Sequence, residues 1–233
     1  FEFISIMHEP GLEPDWARAV VSSREASEAM VTDPRVAFFS FIGSAGVGWS
    51  LRSKLAPGAR CALEHGGVAP VIVDATADLD VAVPSLLKGG FYHSGQVCVS
   101  VQRVFAHSSI VDDLAARMAE GAKALKVGNA ILEDTQCGPL IRPKEVDRVA
   151  GWIDEARAGG AQVLCGGERL SDTTYAPTVL LNPAADATIS TNEVFGPAVC
   201  VYSYDDVDAA IAQANSLDVA FQAAVYLTPS AKP

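Results

Sequence analysis

Two side chains in this sequence stand out for the chemistry they could carry: Cys98 in "GGFYHSGQVCVSVQRVF" and Glu64 in "CALEHGG". A free thiol with a pKa of about 8.5 is already a few per cent thiolate at pH 7, enough for a competent nucleophile. Cys98 follows a Gly-Gln pair and precedes an alternating apolar run. That places it in a loop at an element end, where α/β folds keep their chemistry. Glu64 closes an otherwise apolar strand ahead of two glycines. A carboxylate there is paired, faces solvent, or is buried with a raised pKa, and the buried case makes a general base near neutral pH. A solvent-facing strand end is the simpler reading. A third stretch, "FIGSAGVG", runs a strand into Gly43 with Gly46 and Gly48 ahead of a helix. Bare backbone at a helix N-terminus suits a phosphate, because exposed amides and the helix dipole favour negative charge. The spacing is not G-x-G-x-x-G, and a tight strand-to-helix turn would use the same glycines.

The elements that must position these residues follow from periodicity. Ser23 to Val31 reads as a short acidic helix, "VAFFSFIG" (Val36 to Gly43) as a buried strand, and "SAGVGWSLRSKL" as a helix. "RCALEH" and "PVIVD" are short β-branched runs of strand length. "ADLDVAVPSLLKGGFYHSG" has helical periodicity, with Asp78 as N-cap and Pro84 as a potential kink. "VQRVFAH" is a strand, "SIVDDLAARMAEGAKAL" and "PKEVDRVAGWIDEARAGG" are helices, and "AQVLCGG", "YAPTVLL" and "AVCVYSY" are strands. The helix "DVDAAIAQANSL" precedes a last strand, "AAVYLT". The opening "FEFISI" shows no pattern. Strands alternating with helices mean an α/β fold with a mainly parallel sheet.

Composition narrows the function classes. Hydrophobic residues make up 49% and charged residues 19% of the 233 positions, as in a packed globular chain. The net charge of -11 argues against nucleic acid or an anionic membrane as partner. No apolar run reaches the roughly eighteen residues of a membrane span, and the start does not read as a signal peptide. The five cysteines include no C-x-x-C pair and no Cys/His cluster, so no metal site is expected. An odd number of free thiols fits a reducing cytoplasm. Apart from Cys98, the cysteines read as inert core residues.

Taken together, "FIGSAGVG" (Phe41 to Gly48), "LEHGG" (Leu63 to Gly67), "GQVC" (Gly95 to Cys98) and "NEVFGP" (Asn192 to Pro197) resemble, in order and spacing, the motifs of the NAD(P)-dependent aldehyde dehydrogenases. The similarity runs from about Pro34 to Tyr226. It implies Cys98 as the nucleophile that attacks the aldehyde; the thiohemiacetal then gives a hydride to nicotinamide and becomes a thioester. It implies Glu64 as the general base for the hydrolytic water. Gly43, Ser44 and Gly48 become cofactor contacts, and Glu193 and Phe195 hold the nicotinamide ribose and ring. The resemblance further implies NAD or NADP as cofactor, a small-molecule aldehyde or ester as substrate, and a homo-oligomer. His65 stands where the family usually has Leu, and Val68 where Lys is frequent. His65 could tune Glu64, although a structural His is the simpler reading, and His93 could pair with the thiolate.

Full-length members are much longer. With no initiator Met, and with the last residues just past a strand, both ends read as cuts. Residues 1–66 are expected to be a remnant of the Rossmann-like cofactor domain, and 67–233 a C-terminally incomplete catalytic domain. Most of the cofactor surface, and the Asn that helps stabilise the oxyanion, would then be missing; the Cys98 backbone amide is the donor left. The expected parent reaction is oxidation of an aldehyde to a carboxylic acid. The alternatives for this chain alone are ester hydrolysis through a Cys98 acyl-enzyme without NAD, or an inactive domain that only assembles with partners.

Overall fold

The computed structural model describes residues 1–218 and 221–228. The chain divides into two compact units, Phe1–Glu64 and His65–Pro233.

In the first unit, α1 (Glu2–His8) and α2 (Arg24–Val31) precede a β-α-β segment of β1 (Phe38–Ile42), α3 (Ala45–Arg52) and β2 (Arg60–Glu64). Ser23 caps α2, its hydroxyl accepting from the Ala26 N–H at 3.2 Å. β1 and β2 pair in parallel from Phe38 opposite Arg60 to Ile42 opposite Glu64. The strand at β1 is where its apolar run predicts, but its expected burial is not met. Only Phe39 is buried, while Phe38 and Ile42 are 55% and 84% exposed. Two strands and an eight-residue helix cannot cover both faces of a strand. The patternless "FEFISI" forms α1, which buries none of its residues. The His8 ring joins it to the following turn, its nitrogens 2.7 Å from the Leu12 carbonyl and 3.0 Å from that of Ala17.

The second unit holds β3 (Ala69–Val73), α4 (Leu79–Phe91), a 3₁₀ turn (Tyr92–Gly95), β4 (Val101–His107), α5 (Val111–Ala124), α6 (Pro143–Ala158), β5 (Gln162–Cys165), β6 (Thr178–Leu181), the single turn α7 (Thr188–Thr191), β7 (Ala198–Tyr204), α8 (Val207–Ala214) and β8 (Ala224–Tyr226). The six strands lie in the order β5-β6-β7-β4-β3-β8. Every pairing is parallel except β5 with β6. This is the mainly parallel α/β sheet expected. Alternate side chains of its central strands enter two separate cores. Val104, Ala106, Val199 and Val201 pack with Leu114 and Met118 of α5 on one face. Phe105, Cys200 and Tyr202 pack with Val146, Val149 and Ile153 of α6 on the other. A strand buried on both faces reads as a continuous apolar run, as β4 and β7 do.

Helix ends obey their local chemistry. Asp78 caps α4 by accepting from the Asp80 N–H at 2.9 Å, and Pro84 sits inside α4 without ending it. Pro143 opens α6, and Gly160 at φ +99° follows its end. One buried cation, Arg103 of β4, donates to the carbonyls of Gln213 and Ala214 at the end of α8, where the helix dipole is negative. Among the described residues no helix is long and apolar enough to cross a membrane.

Candidate active site

The loop that carries Cys98 is bent by three successive residues with positive φ: His93 (+49°), Ser94 (+58°) and Gly95 (+70°). For the two non-glycine residues such conformations cost about 1–3 kcal/mol each and need outside support. The Ser94 hydroxyl donates to the Gly138 carbonyl at 2.7 Å. Gln96 donates to the Pro139 carbonyl at 3.2 Å and accepts from the Ile141 N–H at 2.9 Å. The Ser100 hydroxyl reaches the carbonyls of Gly89 and Gly90, each at 3.3 Å, tying the loop to the end of α4. Cys98 sits half-buried in a turn closed by the Ser100 N–H on the Val97 carbonyl at 3.0 Å. Among the described residues its own N–H has no acceptor.

The other thiols differ. Cys137, Cys165 and Cys200 are buried, and burial pushes each thiol up, Cys200 to about 12. They are core residues, as expected; Cys61, half-buried on β2, is not. His93 is exposed with its ring 5.2 Å from that of Tyr92, and it makes no hydrogen bond to Cys98.

The two glycines that close "LEHGG" and the motif "NEVFGP" meet this loop inside the second unit. The Gly67 N–H donates to Glu193 Oε1 at 3.1 Å across 126 positions of sequence. A Cβ on Gly66 would lie 1.9 Å from that same oxygen, and one on Gly95 would lie 2.1 Å from the Gly196 carbonyl oxygen. Glycine is therefore what lets "LEHGG" and "GQVC" each approach "NEVFGP". Burial pushes the Glu193 carboxyl up, opposed by the Gly67 N–H and by Arg148. Phe195, at φ +46°, is 42% exposed. With His93, Gln96, Val97, Pro139 and Ile141 it lines an open groove of about 640 Å³.

Two residues outside the motifs hold the Asn192–Phe195 loop. Gln102 of β4, only 4% exposed, donates to the carbonyls of Ile189 (3.0 Å) and Asn192 (2.7 Å) and accepts from the Val194 N–H (2.8 Å). Arg148 of α6 donates to the Val194 carbonyl at 2.7 Å while stacking on Trp152. Sequence reasoning missed both. For Gln102 the signal was there: a neutral amide inside the apolar run "VSVQRVFAH" must find partners if the run is buried.

The remaining expected residues lie in the first unit. The Gly43 N–H donates to the Glu64 carbonyl at 3.1 Å, extending the β1–β2 ladder. Ser44 occupies the N-cap of α3, exposed and making no capping bond. The amides of Ala45, Gly46 and Val47 begin the helix without intrahelical acceptors, and a Cβ on Gly46 would meet nothing within 4 Å. That open helix start fits the phosphates of a dinucleotide. Gly48 differs: it is buried and its N–H is taken by the Ser44 carbonyl at 3.0 Å. The Glu64 side chain is exposed and makes no hydrogen bond or ion pair among the described residues. Of the states its sequence position allows, this is the solvent-facing one. Among the described residues no group of three or more His, Cys, Asp or Glu could hold a metal ion.

The model of the aldehyde dehydrogenase family matches residues 1–232. The chain belongs to the aldehyde dehydrogenase family. It is 36% identical over 224 residues to a betaine aldehyde dehydrogenase of Cereibacter sphaeroides, covering 95% of this chain and 46% of that one. It is equally identical over 222 residues to a 3-sulfolactaldehyde dehydrogenase of Priestia aryabhattai, with the same coverage. The solved betaine aldehyde dehydrogenase of Staphylococcus aureus, in complex with NAD+, superposes with a TM-score of 0.91 at 29% identity, over 97% of this chain and 46% of that one. This aldehyde dehydrogenase chain thus spans about half the length of the curated relatives it matches. Family and fold agree with what the four motifs imply.

Proposed function

We propose that this chain carries the thiol chemistry of an enzyme that oxidises a small aldehyde to a carboxylic acid with NAD(P)+, with Cys98 as nucleophile and Glu64 as general base. The observation that supports it most is the meeting of Gly66 and Gly67, "GQVC" and "NEVFGP" inside the second unit, through Gly67, Gly95 and Glu193; the role of Glu64 rests on its place in the motif. In this reading the Cys98 thiolate adds to the carbonyl carbon, forming the C–S bond as the carbonyl π pair moves onto oxygen. The N–H of Cys98 donates to that oxyanion. Bound NAD(P)+ supplies the hydride acceptor. Glu193 and Phe195 would hold the nicotinamide end, and Gly43, Ser44 and Gly48, with the amides at the start of α3, would hold the phosphates. Glu64 takes a proton from the water that frees the acyl group from Cys98. Residues 1–66 then act as cofactor-binding segment and 67–233 as thiol-bearing segment. Five free thiols suit a reducing compartment such as the cytoplasm, and self-association belongs to the same reading.

The thiol step can be tested without cofactor, because an activated ester acylates the same sulfur. With p-nitrophenyl acetate, nitrophenol release by the chain should exceed that of Cys98→Ala by about 10²-fold or more. Equal rates in the two would rule out Cys98 as the nucleophile. Calorimetric titration with NAD+ tests the cofactor half.

A further inference from the structure

The candidate nucleophile and the proposed cofactor-holding side chains belong to segments almost a hundred positions apart, yet one buried side chain spans them. Gln102 lies on β4, the strand that leaves the Cys98 turn. Its amide is saturated: both N–H groups go to the Ile189 and Asn192 carbonyls, and its oxygen takes the Val194 N–H. Three backbone groups that frame Glu193 therefore have one common partner. Without it the Ile189 carbonyl and the Val194 N–H would lose their partner in a buried setting, and the Asn192 carbonyl would be left to solvent. Neither an apolar side chain nor a carboxylate reproduces the pattern, since it needs two donors and one acceptor in a single plane.

The neighbouring contacts show how much depends on this register. Glu193 meets the Gly67 N–H at 3.1 Å, and Gly66 and Gly95 leave no room for the loop to advance. Phe195 holds a left-handed conformation that a loop under weaker constraint would abandon. Arg148 anchors the Val194 carbonyl. It binds a different atom, so it cannot replace the three bonds of Gln102.

We propose that Gln102 is a positioning residue, which fixes the Asn192–Phe195 loop against the strand that carries Cys98 and so sets where Glu193 and Phe195 meet the nicotinamide end of the cofactor. The proposal rests on the assignment of Glu193 and Phe195 made above. It concerns placement of the loop, and leaves the reactivity of Cys98 itself to the loop bonds of Ser94, Gln96 and Ser100.

The experiment compares the full chain with Gln102→Met and Gln102→Glu. Amide hydrogen exchange is read at Val194, NAD+ affinity by calorimetry, and Cys98 alkylation by the initial rate with iodoacetamide. In Gln102→Met, exchange at Val194 should rise at least tenfold and NAD+ affinity fall at least tenfold, while alkylation stays within about twofold. Gln102→Glu keeps an acceptor for Val194 but sets a carboxylate against the Ile189 and Asn192 carbonyls, so exchange should rise and affinity fall in it as well. Unchanged exchange and affinity in a folded Gln102→Met would overturn the proposal, as would a parallel loss of Cys98 accessibility control, which marks a general structural role. If Gln102→Met does not fold, Gln102→Glu decides alone: wild-type affinity with two bonds removed overturns the proposal. If the unaltered chain takes up no NAD+, the reading of Glu193 and Phe195 fails instead, and exchange at Val194 still decides whether Gln102 holds the loop.

Discussion

β1 and β4 are both short parallel strands next to a motif, and both are written in apolar, β-branched or aromatic residues. β4 buries all but its two end residues, whereas β1 buries only Phe39. The difference lies in what surrounds them. β4 has a strand on either side and a helical layer over each face, so its alternate residues enter two cores. β1 has one partner strand. Apolar composition thus identifies a strand, but the number of layers in its unit decides whether that strand is core.

Paired truncations would break this comparison most directly. Phe105 is fully buried and stacks on Tyr202 with ring centroids 5.1 Å apart, whereas Phe38 is more than half exposed. Phe105→Ala should cost about 3–5 kcal/mol and Phe38→Ala no more than about 0.5 kcal/mol, read from urea-denaturation midpoints. A large loss from Phe38→Ala would mean that β1 is covered in solution.

Glycines sharpen the contrast on a smaller scale. Gly95 has φ +70° and no room for a Cβ, with the rigid Gly196 carbonyl 2.1 Å away. Gly95→Ala should lose about 3 kcal/mol through left-handed strain and forced backbone movement. Gly46 lies in the first turn of α3 with nothing near its Cβ position. Gly46→Ala should be neutral or stabilising by up to about 1 kcal/mol, since alanine favours the helix. If Gly46→Ala nonetheless abolished NAD+ uptake in the calorimeter, the open space would be marked as the cofactor's own.

Most of the fold was legible in the sequence because it follows local rules. Asp78 and Ser23 mark helix starts, Gly159 and Gly160 a helix end, and the apolar periods of α5 and α6 their buried faces. α1 was not legible, because its seven residues bury nothing and therefore show no period. For the site, the motifs point to Cys98, Glu193 and Phe195, but not to their supports. Gln102 and Arg148 act through backbone atoms at Ile189, Asn192 and Val194, whose side chains give no hint of the contact. Burial was the other illegible quantity. Glu64 and Glu193 are both acidic residues of apolar-flanked motifs, yet one is exposed and the other half-buried.

That last pair supports the smallest effect. Burial raises the Glu193 pKa above its unfolded value, the reverse of a carboxylate held by a strong ion pair. Between the two values the folded chain binds more protons than the unfolded one, so stability falls as pH rises through that window. The contribution is fully present below the unfolded pKa and lost above the folded one. Glu193→Gln keeps an acceptor for the Gly67 N–H and removes the charge. Its stability relative to the parent should therefore increase as pH climbs from the ordinary carboxylate range and level off once Glu193 is ionised, measured by urea midpoints at matched ionic strength. A difference that stays flat with pH would mean that burial does not hold the Glu193 carboxyl above its unfolded value.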